Sequence, residues 1–123
     1  MQLANYLFFT TSCEQALEFY TQCGLGRVVV AVRFGAGPLE GKIMHSKFEG
    51  PGVVFYASDN DDAEPMRGSA HYLTIDTRAE LDALFAKLAS GGTITTPVGL
   101  QPWGYFGKLT DRFGVQWMMS SVE

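Results

Sequence analysis

Apolar and polar positions along this chain alternate over short stretches, switch to helical spacing, then alternate again, and the sequence runs through that cycle twice. Residues 3–10, with Leu3, Tyr6, Leu7, Phe8 and Phe9, predict a strand. Thr11 followed three residues later by Glu14 has the form of a capping box. Ala16, Phe19, Tyr20 and Cys23 then recur at helical spacing, and Gly24 and Gly26 stop the helix. Three β segments follow at 26–35, 41–49 and 52–58, separated by turns rich in glycine and proline. After an acidic, turn-rich stretch at 59–69, the order repeats. A strand at 70–76 leads to Thr77 and Glu80 as a second capping box. A helix carrying Leu81, Leu84, Phe85 and Leu88 comes next, ended by Gly91 and Gly92. Strands near 93–98, 105–111 and 115–120 complete the plan, the first two joined by a Gly/Pro/Trp loop at 99–104.

The repetition reaches single residues. A shift of 66 places Asn5-Tyr6-Leu7 on His71-Tyr72-Leu73, Thr11 on Thr77, Phe19 on Phe85, Gly26 on Gly92, and Gly41-Lys42-Ile43 on Gly107-Lys108-Leu109. With a four-residue slip, Gly52-Val53-Val54-Phe55 falls on Gly114-Val115-Gln116-Trp117, and Ser58 on Ser120. The expectation is one domain over 1–123, with repeat one at 1–58, a linker at 59–69 and repeat two at 70–123. Its class is α+β, two βαβββ repeats. An open four-stranded unit exposes edges and one apolar face, so two of them side by side would curl into a barrel-like mixed sheet around a cleft, helices outside.

Composition narrows the function. Hydrophobic residues at 46% and charged residues at 18% suit a soluble domain with an ordinary core. A net charge of −4 argues against nucleic acid or an anionic membrane as the main partner. No apolar run reaches spanning length, and no export leader opens the chain, so a cytoplasmic location is expected. Cys13 and Cys23 lie in one predicted helical segment, where ten residues span about 15 Å, too far for a disulfide.

The residues Tyr6-Leu7-Phe8-Phe9, Cys13-Glu14-x-Ala16-Leu17-x-Phe19-Tyr20, Met44-His45-x-x-Phe48, Ser58-Asp59, Trp103-Gly104-x-x-Gly107 and Asp111-x-Phe113-Gly114-Val115-x-Trp117 carry a resemblance that covers essentially the whole chain. They are similar to the vicinal-oxygen-chelate superfamily of glyoxalase I, extradiol dioxygenases and bleomycin-resistance proteins. Within it they resemble the PhnB-like branch, also called 3-demethylubiquinone-9 3-methyltransferase-like. The chain looks shorter than usual between its second and third strands.

The resemblance implies a homodimer and, in metal-using members, His, Gln or Glu ligands on the first and last strands of each half. Carried over by motif, those positions fall on Asn5, Tyr56, His71 and Met118. Only His71 is a good ligand for a divalent transition ion, and no carboxylate stands at either last-strand position. No metal site and no cofactor are therefore predicted. The expected function is binding of a small apolar or aromatic molecule in the cleft, lined by Asn5, Tyr56, His71, Met118 and Trp103. The alternatives are a metal-dependent lyase, isomerase or dioxygenase, or a metal-free enzyme with His71 or His45 as general base. Gly35 and Gly37 lie between β segments, which predicts a hairpin turn. No glycine-rich strand-to-helix junction of the kind that holds an adenosyl cofactor is present.

Overall fold

In the computed structural model, which describes residues 1–123, the chain divides into two compact units, Met1–Pro65 and Met66–Glu123. The first contains β1 (Asn5–Phe9), α1 (Cys13–Gln22), β2 (Arg27–Arg33), β3 (Ile43–Gly50) and β4 (Val53–Asp59). The second contains β5 (His71–Thr74), α2 (Arg78–Ala89), β6 (Thr93–Gln101), β7 (Gly104–Thr110) and β8 (Gln116–Ser121). The predicted βαβββ order therefore occurs twice, in an α+β chain with one helix and one mixed four-stranded sheet per unit. The strand orders are β1-β4-β3-β2 and β5-β8-β7-β6, parallel only at β1·β4 and β5·β8. Both sheets are open, with β1 and β2, or β5 and β6, at their edges, so neither closes into a barrel. No helix is long and apolar enough to cross a membrane.

Each core lies between the helix and one sheet face. α1 buries Ala16, Leu17, Phe19 and Tyr20, and the sheet supplies Leu7, Phe9, Phe48, Phe55 and Ala57. Tyr20 meets Phe55 edge-on at 5.9 Å, and Phe55 stacks on Phe48 at 4.8 Å. α2 buries Leu81, Phe85 and Leu88 beside Leu109, Trp117 and Met119.

The two helix starts are built differently. Thr77 caps α2 as expected, its Oγ1 accepting from the Glu80 amide at 3.2 Å. The matching box in α1 does not form. Ser12 occupies the cap position with no side-chain bond, and Glu14 instead pairs with Arg33. The start of α1 is held by Asp59, whose Oδ1 accepts from the Cys13 amide at 3.0 Å and whose Oδ2 accepts from the Ile43 amide at 3.2 Å. Asp59 is thus the buried last residue of β4 and not part of an acidic linker. A carboxylate at a helix N-terminus is favoured by the helix dipole and by amides that have no intrahelical acceptor.

Two further expectations are corrected by the ladders. Residues 99–101 belong to β6, which pairs with β7 as far as Gln101↔Gly104, leaving only Pro102 and Trp103 as the turn. Pro97 is tolerated inside this strand because β6 is an edge with register shifts on either side of Thr96. The ladders also reset the repeat within the third strands. Phe48 pairs with Phe55, and Leu109 with its counterpart Trp117. Lys108 therefore corresponds to Lys47 and not to Lys42, which lies in the turn before β3. The Gly35–Gly37 segment is the connection between antiparallel β2 and β3, as the sequence predicts.

Candidate functional site

In-register strand partners share a sheet face, so the ladders decide which candidate residues can meet. Asn5 is in register with Phe55, on the face that packs against α1, while Tyr56 is in register with Tyr6 on the opposite face. His71 is in register with Trp117, on the α2 side, and Met118 with Tyr72 on the other. The expected grouping of Asn5 with Tyr56, and of His71 with Met118, therefore does not form within either unit. Pairs one residue apart on a strand point to opposite faces.

The helix-distal face of the first unit carries a ring cluster instead. Tyr6 and Tyr56 lie side by side with ring centroids 6.2 Å apart and planes 9° from parallel. His45, on the middle strand β3, lies 5.6 Å from Tyr56 and 5.8 Å from Tyr6, at 21° and 29°. The Tyr6 hydroxyl donates to His45 Nδ1 at 3.0 Å in the tautomer that keeps its proton on Nε2. Phe8 extends the cluster, 4.9 Å from Tyr6, and is itself exposed. Lys47 Nζ stands 5.9 Å from the Tyr56 ring centroid and 2.7 Å from Glu49 Oε1. Chemically, the face offers nearly parallel π surfaces, one polarised imidazole–phenol pair and an ammonium already matched by a carboxylate.

The helix-distal face of the second unit is built from the same ladder positions. Tyr72 replaces Tyr6, Met118 replaces Tyr56, Phe106 replaces His45 and Lys108 replaces Lys47. The Tyr72 hydroxyl and Ser120 Oγ are hydrogen-bonded at 2.8 Å. Trp103, exposed in the β6–β7 turn, packs edge-on against Phe106 at 5.9 Å.

His71 lies on the structural side. Its ring is 4.6 Å from Trp117, its Nε2 is shielded from solvent, and burial pushes its pKa below the usual 6.5, an effect the Asp111 carboxylate partly offsets. Below about pH 6.5 the unfolded chain takes up a proton that the folded chain refuses. Stability therefore falls as pH drops from that point and levels off once the folded ring titrates. Urea midpoints between neutral pH and about pH 5 should decline less in His71→Phe than in the parent. Equal declines would show that the ring is not held neutral.

Of the two histidines, His45 is therefore the one on a helix-distal face. The cysteines offer no second nucleophilic site: both are buried, and burial together with nearby Asp59 pushes the Cys13 thiol up to about 12. On the helix side of the first sheet, a groove of about 360 Å³ runs between α1 and β2, lined by Leu17, Thr21, Val28, Ala31, Arg33 and Ile43 among others.

The donor set does not fit a divalent ion. Nowhere do three His, Cys, Asp or Glu side chains gather as an ion-holding group. The helix-distal faces bring together phenols, serine hydroxyls, a thioether, one imidazole and the Glu49 carboxylate, which is already paired with Lys47, so no third strong ligand joins the imidazole and the carboxylate.

Residues 1–120 match the family model described as 3-demethylubiquinone-9 3-methyltransferase. This chain belongs to that family. Its solved relatives include protein PA1353 from Pseudomonas aeruginosa, 36% identical, with a TM-score of 0.89 over 98% of this chain and 97% of that one. A PhnB protein from Bacillus cereus is 30% identical, with a TM-score of 0.86 over 98% and 99%. A glyoxylase/bleomycin resistance protein/dioxygenase domain from Frankia sp. EAN1pec shares the fold at 16% identity, with a TM-score of 0.70 over 98% and 91%. The chain is accordingly PhnB-like, and it shares the fold of the glyoxylase/bleomycin resistance protein/dioxygenase domain.

Tyr6, Phe8, Lys47, Phe106 and Lys108 are not among the candidate site residues that the sequence offers. The signal for Tyr6 was present, since Tyr6 and Tyr72 coincide in the repeat one residue beyond Asn5 and His71. Strand alternation combined with a parallel β1·β4 pair would have favoured that tyrosine pair over its neighbours.

Proposed function

We propose that this protein binds a small, flat organic molecule on the helix-distal faces of its sheets, and that it does so without a metal ion. The observation that supports this reading is the ring cluster of Tyr6, His45 and Tyr56, whose planes lie within 29° of one another at centroid distances of 6.2 Å or less. Parallel rings that are only half-buried have unused π faces, which suit an aromatic ligand. Phe8 extends this surface within the first unit, and the second unit has an apolar helix-distal face of its own in Met118, Phe106 and Trp103, with Met118 able to adapt to irregular ligand shapes. Asn5 and His71 leave the proposed site because the ladders place them on the other face of each sheet. If a general base operates here, it is His45 in the other tautomer, whose Nδ1–H donates to the Tyr6 oxygen and leaves Nε2 free to accept a proton. The working unit on this reading is a cytoplasmic homodimer. Methyl transfer, the activity in the family's description, is not part of the reading: the strand-to-helix junctions Thr10-Thr11-Ser12 and Ile75-Asp76-Thr77 contain no glycine to seat an adenosyl cofactor.

The test is fluorescence titration with the neutral dye N-phenylnaphthylamine, repeated after dialysis against a chelator. Binding should saturate, survive the chelator, and weaken roughly three- to tenfold in Tyr56→Ala, the loss expected for one stacking partner. Absence of saturable binding would overturn the reading. Loss of binding on chelation would overturn its metal-free part.

A further inference from the structure

We infer that the helix-distal face of the second unit takes an acid, a flat aromatic molecule with one anionic group, and that Lys108 receives that group. This deepens the binding reading above and rests on it. Lys108 stands on β7 on the face turned away from α2, between Phe106 and Thr110, in register with Met118 on β8 and Thr96 on β6. It is half-buried, and no carboxylate pairs with it, whereas Arg33, Lys47 and Arg78 each have an acidic partner. The chain holds 13 acidic against 9 basic residues, so acids are not scarce.

The repeat sharpens the point. Lys47 and Lys108 occupy equivalent positions, each in register with the matched pair Tyr56 and Met118. In the first unit Glu49, two residues on and on the same face, supplies the countercharge at 2.7 Å. The position equivalent to Glu49 in the second unit is Thr110: Glu49 pairs with Val54, and Thr110 with Gln116. The second unit has kept the ammonium and replaced the carboxylate with a neutral hydroxyl. An ammonium drawn partly out of water without a countercharge favours an anion arriving from outside. Met118, Phe106 and Trp103 beside it give the apolar contact that the rest of an aromatic acid requires. A lysine placed only to cover apolar surface with its stem would show no preference for charge, and that difference is measurable.

The experiment compares anilinonaphthalene sulfonate with N-phenylnaphthylamine, the same dye lacking the sulfonate, on the full chain. The wild type should bind the sulfonate form more tightly. Lys108→Gln should weaken the sulfonate form roughly tenfold or more, as loss of a hydrogen bond to a charged group predicts, and leave the neutral dye within about twofold. Lys108→Arg should retain most of the preference. Lys42→Gln removes the same charge from the turn before β3 and should move neither dye. Equal effects of Lys108→Gln on both dyes, or of Lys42→Gln and Lys108→Gln on the sulfonate form, would overturn the assignment while leaving the binding reading intact. If neither dye binds the wild type, both fall together.

Discussion

Replacing Asp111 with alanine should lower the unfolding free energy by about 3–4 kcal/mol, as much as truncating a large core side chain. One carboxylate there serves three donors. Oδ1 accepts from the Phe113 amide at 2.8 Å and the Val115 amide at 3.1 Å, and Oδ2 accepts from Trp117 Nε1 at 2.9 Å. The first two bonds shape the turn between β7 and β8. The third fixes the largest fully buried side chain of the chain. Truncation strips these buried donors of an acceptor they cannot replace with bulk water, so the cost is the desolvation of the donors left behind and not only the bonds lost. In a domain of this size the melting temperature should fall by roughly 10 °C or more. Trp117→Phe removes one donor together with its acceptor contact and keeps an aromatic ring in the core, so it should cost about half as much. Asp111→Asn keeps an acceptor for the turn but turns an amide group toward the indole N–H, and should fall between the two. Urea unfolding of the three variants checks the order. An alanine variant within about 1 kcal/mol of the parent would mean that other groups hold the turn.

The same residues show what the amino-acid pattern could reveal. Element order and helix faces were legible because they depend on local periodicity, which the chain repeats twice. Ala16, Phe19 and Tyr20 in α1, and Leu81, Phe85 and Leu88 in α2, are buried as their spacing predicts. The Thr77 cap was legible for the same reason, being a contact across three residues. What did not follow from local pattern involved partners far away in sequence. Asp59 reads as the start of an acidic stretch until the fold brings it 46 residues back to the Cys13 amide. On each first strand the candidate residue and the one beside the ring or thioether differ by a single position. Asn5 and Tyr6 differ by one position, but strand geometry turns that into opposite sides of a sheet, one facing a helix and the other carrying the ring cluster. Lys108 was matched to the wrong lysine because repeats align well at glycines and turns, whereas register is set by the ladder.

A division of labour between the faces follows from this. The buried carboxylates Asp59 and Asp111 both bind backbone amides at places where chain segments meet. They are structural, and variants there should act on stability. The partly exposed rings and ammoniums on the opposite faces contribute less to packing, and variants there should act on binding. Tyr56→Ala and Lys108→Gln are informative for that reason: they alter the proposed ligand surface without touching the helix-facing core.

The second large effect concerns two backbones in close approach. Gly26 precedes β2 and Gly50 ends β3, and there the two antiparallel backbones approach so closely that neither position has room for a side chain. A Cβ on Gly26 would collide with the Glu49 carbonyl oxygen, and a Cβ on Gly50 with that of Leu25. Gly26 also has φ of +154°, a conformation that residues with a side chain avoid. Neither obstacle is a flexible side chain, so the strand pair itself has to move. Gly26→Ala and Gly50→Ala should each cost about 3 kcal/mol or more, at the upper end of overpacking penalties. Gly92, the repeat counterpart of Gly26, faces the Thr110 carbonyl oxygen in the same manner and should behave alike. Gly35→Ala is the control: its φ is not positive, nothing lies within 4 Å of the added carbon, and its stability should stay within about 0.5 kcal/mol of the parent. Combining Gly26→Ala with Gly50→Ala should cost less than the sum, because separating the two backbones once makes space for both methyl groups. Chemical denaturation of the singles and the double reads this directly. Additive losses would place the two strains at separate sites, and a Gly50→Ala variant as stable as the parent would show that the approach is looser than the backbone contacts imply.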